Sequence, residues 1–565
     1  MAVREFVFGS LPSDEARLAH QRALGRGVRH LSCTRPLAPG PGEPVEIRVT
    51  VGLAQAVAGL TCRLQTPQTA EIGLERRAVE WDTLNWGYRQ EWRATLPGQP
   101  AGTLVRYTLA AETADGGRVP ADDGAVFSYL VGDPAPPAWA AEAIIYQVFP
   151  DRFHPGRGRR WRRPKRPDGI YGGTLRGVIE QLDYIAGLGF NCLWLNPFFP
   201  DHTYHGYHAS DYFKVNPRLG SLEDARELAA AAHERGLRLL LDFVANHWGS
   251  RHPTFQAARA DPESEYRDWY HWRRWPDDYA TFFDVRDLPQ INVDHPAARA
   301  HLLEAAQFWL GEVGFDGCRL DYALGPSLDF WADFRRAATA ARPDAWLFGE
   351  VIQTPETQLR YWGRLHGCLD FQLLVALRGL FAEGEMGLAA FDAFLDEHEA
   401  FFPAGFSRPS FLDNHDMNRF LWAAGGDARR LKLAALCQFT LAGPPIVYYG
   451  TEVGLSQPAD VLRADGRHDH AQARLPMVWG EAQDADLRAF YAGLIGLRRQ
   501  HSCLWRGRRE TLHLDKAAQT YAYSRADERS RVVIGFNLGD RRQRFAAGGQ
   551  TFELGPLAGE ARALG

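Results

Sequence analysis

A TIM barrel of the α/β class, with a small domain inserted after its third strand and a β-sandwich at each end, is the fold this sequence predicts. Three observations carry the prediction. From about residue 140, short apolar strand-like runs alternate with amphipathic helix-like runs, the pattern of a parallel α/β fold. Eight such units follow one another without a break, the number that closes a barrel. On both sides the pattern changes to alternating β-formers punctuated by turn residues. VEIRVTVG and VRYTLAAETADGG lie before the barrel, TYAYSRA and SRVVIGFNLG after it, and both sets argue for antiparallel sandwiches.

The elements are expected in this order. A short polar helix over 13–26 precedes the first sandwich, residues 1–131, and the proline-rich GDPAPPAW at 132–139 is a linker. Barrel strands are expected near 144–148, 191–196, 238–243, 317–321, 346–350, 368–371, 410–413 and 445–449. Amphipathic helices are expected over 221–235, 296–312, 427–439 and 486–499, so that the barrel spans 140–501. The connection 247–295, rich in Trp, Tyr, Asp and Arg, is too long for a βα loop and reads as the inserted domain. Residues 502–565 form the second sandwich. Trp81, Trp86 and Trp92 suit either the packing of the first sandwich or a face for stacking on sugars, and packing is the simpler reading.

Composition narrows the function. The 565 residues are 45% hydrophobic and 24% charged, with a net charge of -5, which fits a globular protein with an ample core and no nucleic-acid role. No run of about 18 apolar residues occurs, so no membrane span is expected. The start MAVREFVFGSLPSDEARLAHQ lacks the apolar centre of a secretory leader. Seven scattered cysteines without CxxC spacing indicate neither a disulfide framework nor a zinc site, and the expected setting is the reducing cytoplasm. One charge run stands out, RGRRWRRPKR at 157–166, whose plain reading is a solvated loop.

The stretch GFDGCRLDY at 314–322 is where chemistry is expected. Side chains alternate along a strand, so Arg319 and Asp321 leave the same face. A guanidinium fixed beside a carboxylate favours its ionised form, as a carboxylate nucleophile requires. By itself such a pair is more often structural. Three further strand-like runs end in polar residues: LDFVANH at 241–247, WLFGEV at 346–351 and SFLDNHDMNR at 410–419. The carboxyl ends of barrel strands form one rim, where active sites of this fold lie. His247, Asp321, Glu350, His415 and Asp416 all fall on that rim.

With these four runs present and in order, the chain resembles the α-amylase family of glycoside hydrolases. YQVFPDRF, YYGTEVG and RLPMVW add to the resemblance, which covers the barrel from about 140 to 499. LPQIN at 288–292 is similar to the neopullulanase, cyclomaltodextrinase and maltogenic amylase branch. The resemblance implies a retaining glycosidase acting on short or cyclic α-1,4-glucans through a covalent intermediate. Two carboxyl groups promote that reaction, one protonating the departing oxygen and the other attacking the anomeric carbon. Adjacent strands can hold them at the roughly 5–5.5 Å separation of a retaining pair. Asp321 is then the nucleophile and Glu350 the acid/base, its proton retained by the apolar context of Trp-Leu-Phe-Gly. Asp416, His247 and His415 would grip hydroxyls of the cleaved sugar, and Arg419 belongs to the same motif. HGYHASDY at 205–212 suggests Tyr207 as the stacking platform, with Asp211 in support. The sandwich ahead of the barrel resembles domains that form dimers, which implies a homodimer.

Two departures from the family pattern are evident. Leu324 stands where many relatives place a lysine or asparagine after the nucleophile, so a polar contact on the leaving-group side is missing. The loop after PDRF, where the branch often holds calcium, is cationic here and unsuited to an ion that takes oxygen ligands. No cofactor is expected for the reaction, and a calcium ion at Asn246 is the residual metal expectation. Rival readings are a transglycosylase or α-glucosidase using the same residues, and a catalytically dead carbohydrate-binding barrel. The last is disfavoured by the retention of all three carboxylates.

Overall fold

Eight parallel strands form the centre of the computed structural model, which describes residues 13–52 and 56–564. They are β1 Ile145–Val148, β2 Cys192–Leu195, β3 Arg238–Val244, β4 Gly317–Asp321, β5 Trp346–Gly349, β6 Gly367–Cys368, β7 Ser410–Phe411 and β8 Pro445–Tyr448. Neighbours run β6-β5-β4-β3-β2-β1-β8-β7. The ring closes where Gly367 bridges Ser407 just ahead of β7, with Cys368 N–H donating to Ser407 O and Asp370 N–H to Pro409 O, both at 3.0 Å. The segment read for an absent leader lies outside the described residues as far as Pro12. None of the described helices is long and apolar enough to cross a membrane.

Strands β6 and β7 are shorter than the sequence suggests, for the same reason. Asp370 accepts from Leu373 N–H (3.0 Å) and caps the helix Phe371–Arg378. Asp413 accepts from Phe420 N–H (2.8 Å) across the following loop. A carboxylate that engages nearby backbone donors draws the chain out of extended pairing. The helix expected over 296–312 is α-helical only for Pro296–Gln307, then widens into a π-turn, Phe308–Val313, before Gly314 ends it at φ 100°.

The barrel interior changes character along its axis. On the inner faces Ile145, Cys192, Trp194, Leu240, Trp346 and Phe348 pack into one apolar cluster. Their outward neighbours, among them Leu193, Leu239, Leu241, Leu320 and Leu347, pack beneath the helices. Two residues farther along the same inner faces stand Gln147, Asn196, Asp242 and Glu350, with Arg319 beyond Gly317, all buried. The two-residue period of the strands thus stacks a polar layer on an apolar plug at the carboxyl ends.

Before the barrel, two five-stranded sheets enclose a separate apolar core that includes Val45, Ile47, Leu60, Trp92 and Tyr107. Arg106 ties this unit to the barrel helix Leu328–Ala341 through Asp329 (2.8 Å), which Arg299 also engages (2.6 Å). Of the three tryptophans, Trp92 packs inside as expected, whereas Trp81 and Trp86 are 48% and 76% exposed. They stand on the edge hairpin formed by Glu75–Asp82 and Gly87–Leu96, where among the described residues no further strand pairs with Glu75–Asp82.

After the barrel, the sheet Arg508–Asp515, Thr520–Ala526, Arg531–Asn537 and Ala558–Leu564 turns one face to a small core of its own around Val533 and Phe552 and the other to the barrel. Its Tyr521, Tyr523, Ile534 and Phe536 belong to the cluster that packs under the barrel helices. The Tyr523 hydroxyl lies 2.6 Å from Thr440 Oγ1. The inserted segment contains the helix Pro253–Ala260 and a two-stranded ribbon, Trp272–Arg274 with Asp278–Tyr279. An isolated bridge from His247 to Gln290 and the Ile291 N–H donating to Asn246 O (2.9 Å) bind it back to the barrel, and a bridge from Tyr270 to Ile291 joins the LPQIN run to the rest of the segment.

Candidate active site

Arg319 organises one half of the rim. Its Nη1 donates to Asp242 Oδ1 and to Asp321 Oδ1, both at 2.7 Å, and its Nη2 lies 2.8 Å from Glu350 Oε1. Strand register explains the first contact, because Asp242 on β3 sits directly beside Arg319 on β4. The side chain of Trp194 covers the guanidinium at 5.3 Å. Glu350 is further held by Tyr322 N–H, which donates to Oε2 (3.0 Å). Tyr322 achieves this at φ 36°, a left-handed backbone unusual for an aromatic residue and of the kind found where a site dictates the turn.

His415 and Arg474 organise the other half. Gln147 Nε2 donates to His415 Nδ1 (3.0 Å), which leaves Nε2 to carry the ring proton towards the Tyr207 hydroxyl (2.5 Å), with Asp416 Oδ2 3.0 Å away. Arg474 Nη2 donates to Asp416 Oδ1 (2.7 Å) and its Nε to His415 O (2.6 Å). Tyr207 stacks on His415 with rings parallel to within 4°, and its hydroxyl donates to Asp242 Oδ2 (2.9 Å). This contact joins the two halves.

Titration differs between the halves. Burial pushes the carboxyls of Asp321 and Glu350 upward, against the pull of Arg319. The expectation that Arg319 holds Asp321 charged meets an opposing effect: one guanidinium is divided among three carboxylates and works against their desolvation. Asp416 is buried as well, but His415 and Arg474 outweigh the burial and hold its carboxyl well below the usual range. Burial lowers His247 to about 3, so its ring is neutral. Asn246 Nδ2 donates to His247 Nδ1 (3.0 Å), and the Nε2 proton is left without a partner at the cavity wall.

These groups open into a cavity of about 440 Å3 lined by Asp321, Glu350, Asp416, Tyr207 and His247, with Tyr204, His205, Phe282 and Arg474 around them. Arg319 and His415 lie behind the wall. His415, expected to grip a sugar hydroxyl, is thus set back from the cavity, and two further expected residues are placed elsewhere. Asp211 pairs with Lys214 (2.8 Å) at the surface, and Arg419 is buried behind the rim, donating to the carbonyls of Ala473 (3.0 Å) and Tyr449 (2.9 Å). Asn246 does not suit calcium. Its amide oxygen accepts from Gln290 (3.3 Å), and a Cβ on Gly325 would fall 1.8 Å from it, so the turn after Asp321 fills the place of an ion.

Residues that the motifs did not single out are Asp242, Arg474, Gln147, Asn196, Tyr204 and Phe282. Asp242 stands inside LDFVANH, and counting by twos from the strand end would have placed it inward. Arg474 stands inside RLPMVW, yet its partner Asp416 is a loop contact that no period encodes.

Two buried carboxyls sharing a guanidinium at a barrel rim suit acid/base and nucleophilic work on a sugar bond, and comparison with known proteins gives the family. The alpha amylase catalytic domain matches residues 147–492. The chain belongs to the α-amylase family. It is a glycoside hydrolase of that family, 37% identical to a cyclomaltodextrinase from a Bacillus species over 421 residues, 71% of this chain and 74% of the relative. It is 36% identical to alpha-amylase 2 of Dictyoglomus thermophilum over 419 residues, 74% of this chain and 73% of that one. A solved cyclomaltodextrinase superposes with a TM-score of 0.69 at 29% identity and covers 92% of both chains, so this α-amylase family member shares its flanking sheets as well.

Proposed function

We propose that this protein is a retaining hydrolase that cleaves α-1,4 bonds of short or cyclic maltooligosaccharides through a covalent glycosyl-enzyme intermediate. The observation that carries the reading is the sharing of Arg319 by Asp321 and Glu350, which sets the two carboxyls side by side at the cavity. Two raised carboxyls in contact with one cation titrate as a pair that retains one proton between them. Glu350 holds that proton and gives it to the departing oxygen. Asp321 attacks the anomeric carbon, and Glu350 then takes a proton from the incoming water. Asp416, kept ionised, accepts from sugar hydroxyls, and the neutral His247 donates its Nε2 proton to another.

Products from β-cyclodextrin, pullulan and soluble starch test the substrate range. Faster release from cyclodextrin than from starch is expected, and activity on none of the three would overturn it. A second reading, transfer to a sugar acceptor, draws support from an aromatic lip. Phe283, 42% exposed, and Phe282 meet Tyr322 edge-on at 5.3 and 4.9 Å, a surface on which an acceptor ring could stack. Disproportionation of maltotriose without net gain of reducing ends would favour it.

The proposed setting is the cytoplasm, since all seven cysteines are free thiols and six of them are buried. The proposed partner is a second copy meeting the exposed Trp81, Trp86 and Tyr88. Gel filtration of Trp81→Ser/Trp86→Ser is expected to show the monomer, and an unchanged elution volume would remove that face from the interface.

A further inference from the structure

The loop between β1 and the helix Leu175–Glu180 holds seven cations and no acid within residues 157–166, in a chain whose net charge is -5. All seven cationic residues are exposed. Among the described residues, Arg166 alone of the seven forms an ion pair, with Asp168 at 2.7 Å. Arginines around the site behave differently. Arg319, Arg474, Arg463 and Arg467 each face a carboxylate. The loop is also fixed to the active site at its far end. Arg152, clamped between the rings of Tyr171 and Tyr204, donates to Gly169 O (2.9 Å) and Pro167 O (3.1 Å). Arg166 and Asp168 line the catalytic cavity, with Arg463 and Arg467 beside them.

Like charges in one short loop repel one another, and the loop that carries them reaches the cavity wall at its last residue, Arg166. A guanidinium matches the oxygens of a phosphate ester, and several of them around a groove favour multiply charged anions. The inner cavity cannot be the place for such a group, because Asp321, Glu350 and Asp416 occupy it. An anion would have to sit some sugar residues away from the cut, where the loop is.

We propose that the loop 157–166 is a subsite for phosphate esters, and that phosphorylated α-glucans are a substrate class of this enzyme. The proposal rests on the hydrolase reading above and extends it to charged glucans. Attraction of this kind acts over about 8 Å at physiological ionic strength, so it reaches ligands at the cavity mouth and weakens with salt.

The test compares kcat/KM for maltodextrins bearing glucose 6-phosphate residues with that for neutral maltodextrins of equal length. Both are measured at low and high NaCl, with the intact enzyme and with Arg159→Ser/Arg160→Ser/Arg163→Ser/Lys165→Ser. At low salt the intact enzyme is expected to favour the phosphorylated dextrin by about threefold or more, through KM, a size typical of steering by exposed charge. High salt and the quadruple variant should each remove the preference and leave the neutral dextrin unaffected. Equal preference in enzyme and variant overturns the proposal, as does tighter binding of an RNA oligonucleotide than of the phosphorylated dextrin. Competition by inorganic phosphate separates recognition of the ester group from recognition of the sugar. If neither dextrin is cleaved, the hydrolase reading fails. Calorimetric binding of both dextrins to Asp321→Asn then decides the phosphate subsite alone.

Discussion

The two halves of the catalytic rim are buried alike but charged differently. Around Arg319, three carboxylates share one guanidinium, and the carboxyls of Asp321 and Glu350 are pushed up. Around Asp416, one carboxylate has a guanidinium and a histidine to itself, and it is pushed down. Burial therefore does not decide which carboxyl keeps a proton in this barrel; the ratio of cations to carboxyls does. A glycosidase needs both outcomes within one cavity. It needs an acid that still holds its proton near neutral pH, and an anion that accepts from sugar hydroxyls throughout.

The largest expected effect removes a member of the crowded half. Asp321→Asn and Glu350→Gln should each lower kcat on maltooligosaccharides by at least about 1,000-fold, as loss of a group in direct contact with the reacting atoms does. A substrate whose leaving group needs no proton should recover much of the loss in Glu350→Gln and none in Asp321→Asn. Equal losses on both substrates would break the division of roles.

Next comes the sparse half. Arg474→Met removes the guanidinium from buried Asp416 and leaves the His415 ring beside it, and should cost about 3–5 kcal/mol of stability in urea titration. A loss below about 1 kcal/mol would mean that water, not Arg474, satisfies that carboxylate.

A smaller effect follows from changing the ratio without touching a reacting group. Asp242→Asn leaves Arg319 with two carboxylates in place of three. The alkaline limb of kcat/KM, which reports the acid, should then move down by about half to one pH unit. An unmoved limb would show that Asp242 only orients Tyr207.

The smallest effect is on stability against pH, where the two halves have opposite signs. Asp321 and Glu350, raised in the folded state, bind more protons folded than unfolded, so their contribution declines as pH rises from about 4 through their folded values. Asp416, lowered, contributes above the unfolded value of about 4 and is lost as pH falls through its folded value. Denaturant midpoints between pH 4 and 8 should therefore decline less steeply for Glu350→Gln than for the intact enzyme.

Much of this arrangement could be read from residues alone. Periodicity places Trp194, Leu240 and Phe348 inside the barrel and, two positions later, puts Asn196, Asp242 and Glu350 at its mouth. What periodicity cannot supply is the partner across a loop. Asp416 and Arg474 are separated by most of the last two βα units, and no pattern announces that they meet. The same gap explains Asp211 and Arg419, which stand beside motif residues in sequence but turn towards Lys214 and the carbonyls of Ala473 and Tyr449. Of the tryptophans read as core and edge packing, Trp92 is core, while Trp81 on the edge strand and Trp86 in the turn beside it pack edge-on against each other. An edge hairpin exposes both faces, and its pattern is the same as that of a covered strand.

The flanking sheets differ in a way that bears on how the chain is made. The first sandwich closes around its own apolar core, so it can finish folding while the barrel is still being synthesised. The barrel cannot finish early. Its helices complete their packing with Tyr521, Tyr523, Ile534 and Phe536, which leave the ribosome after every rim residue. Until then the rim residues sit in an unsealed scaffold, and a ribosome that stalls after the eighth strand would display all three rim carboxylates with Asp416 still lacking Arg474 and the last sheet not yet packed beneath them.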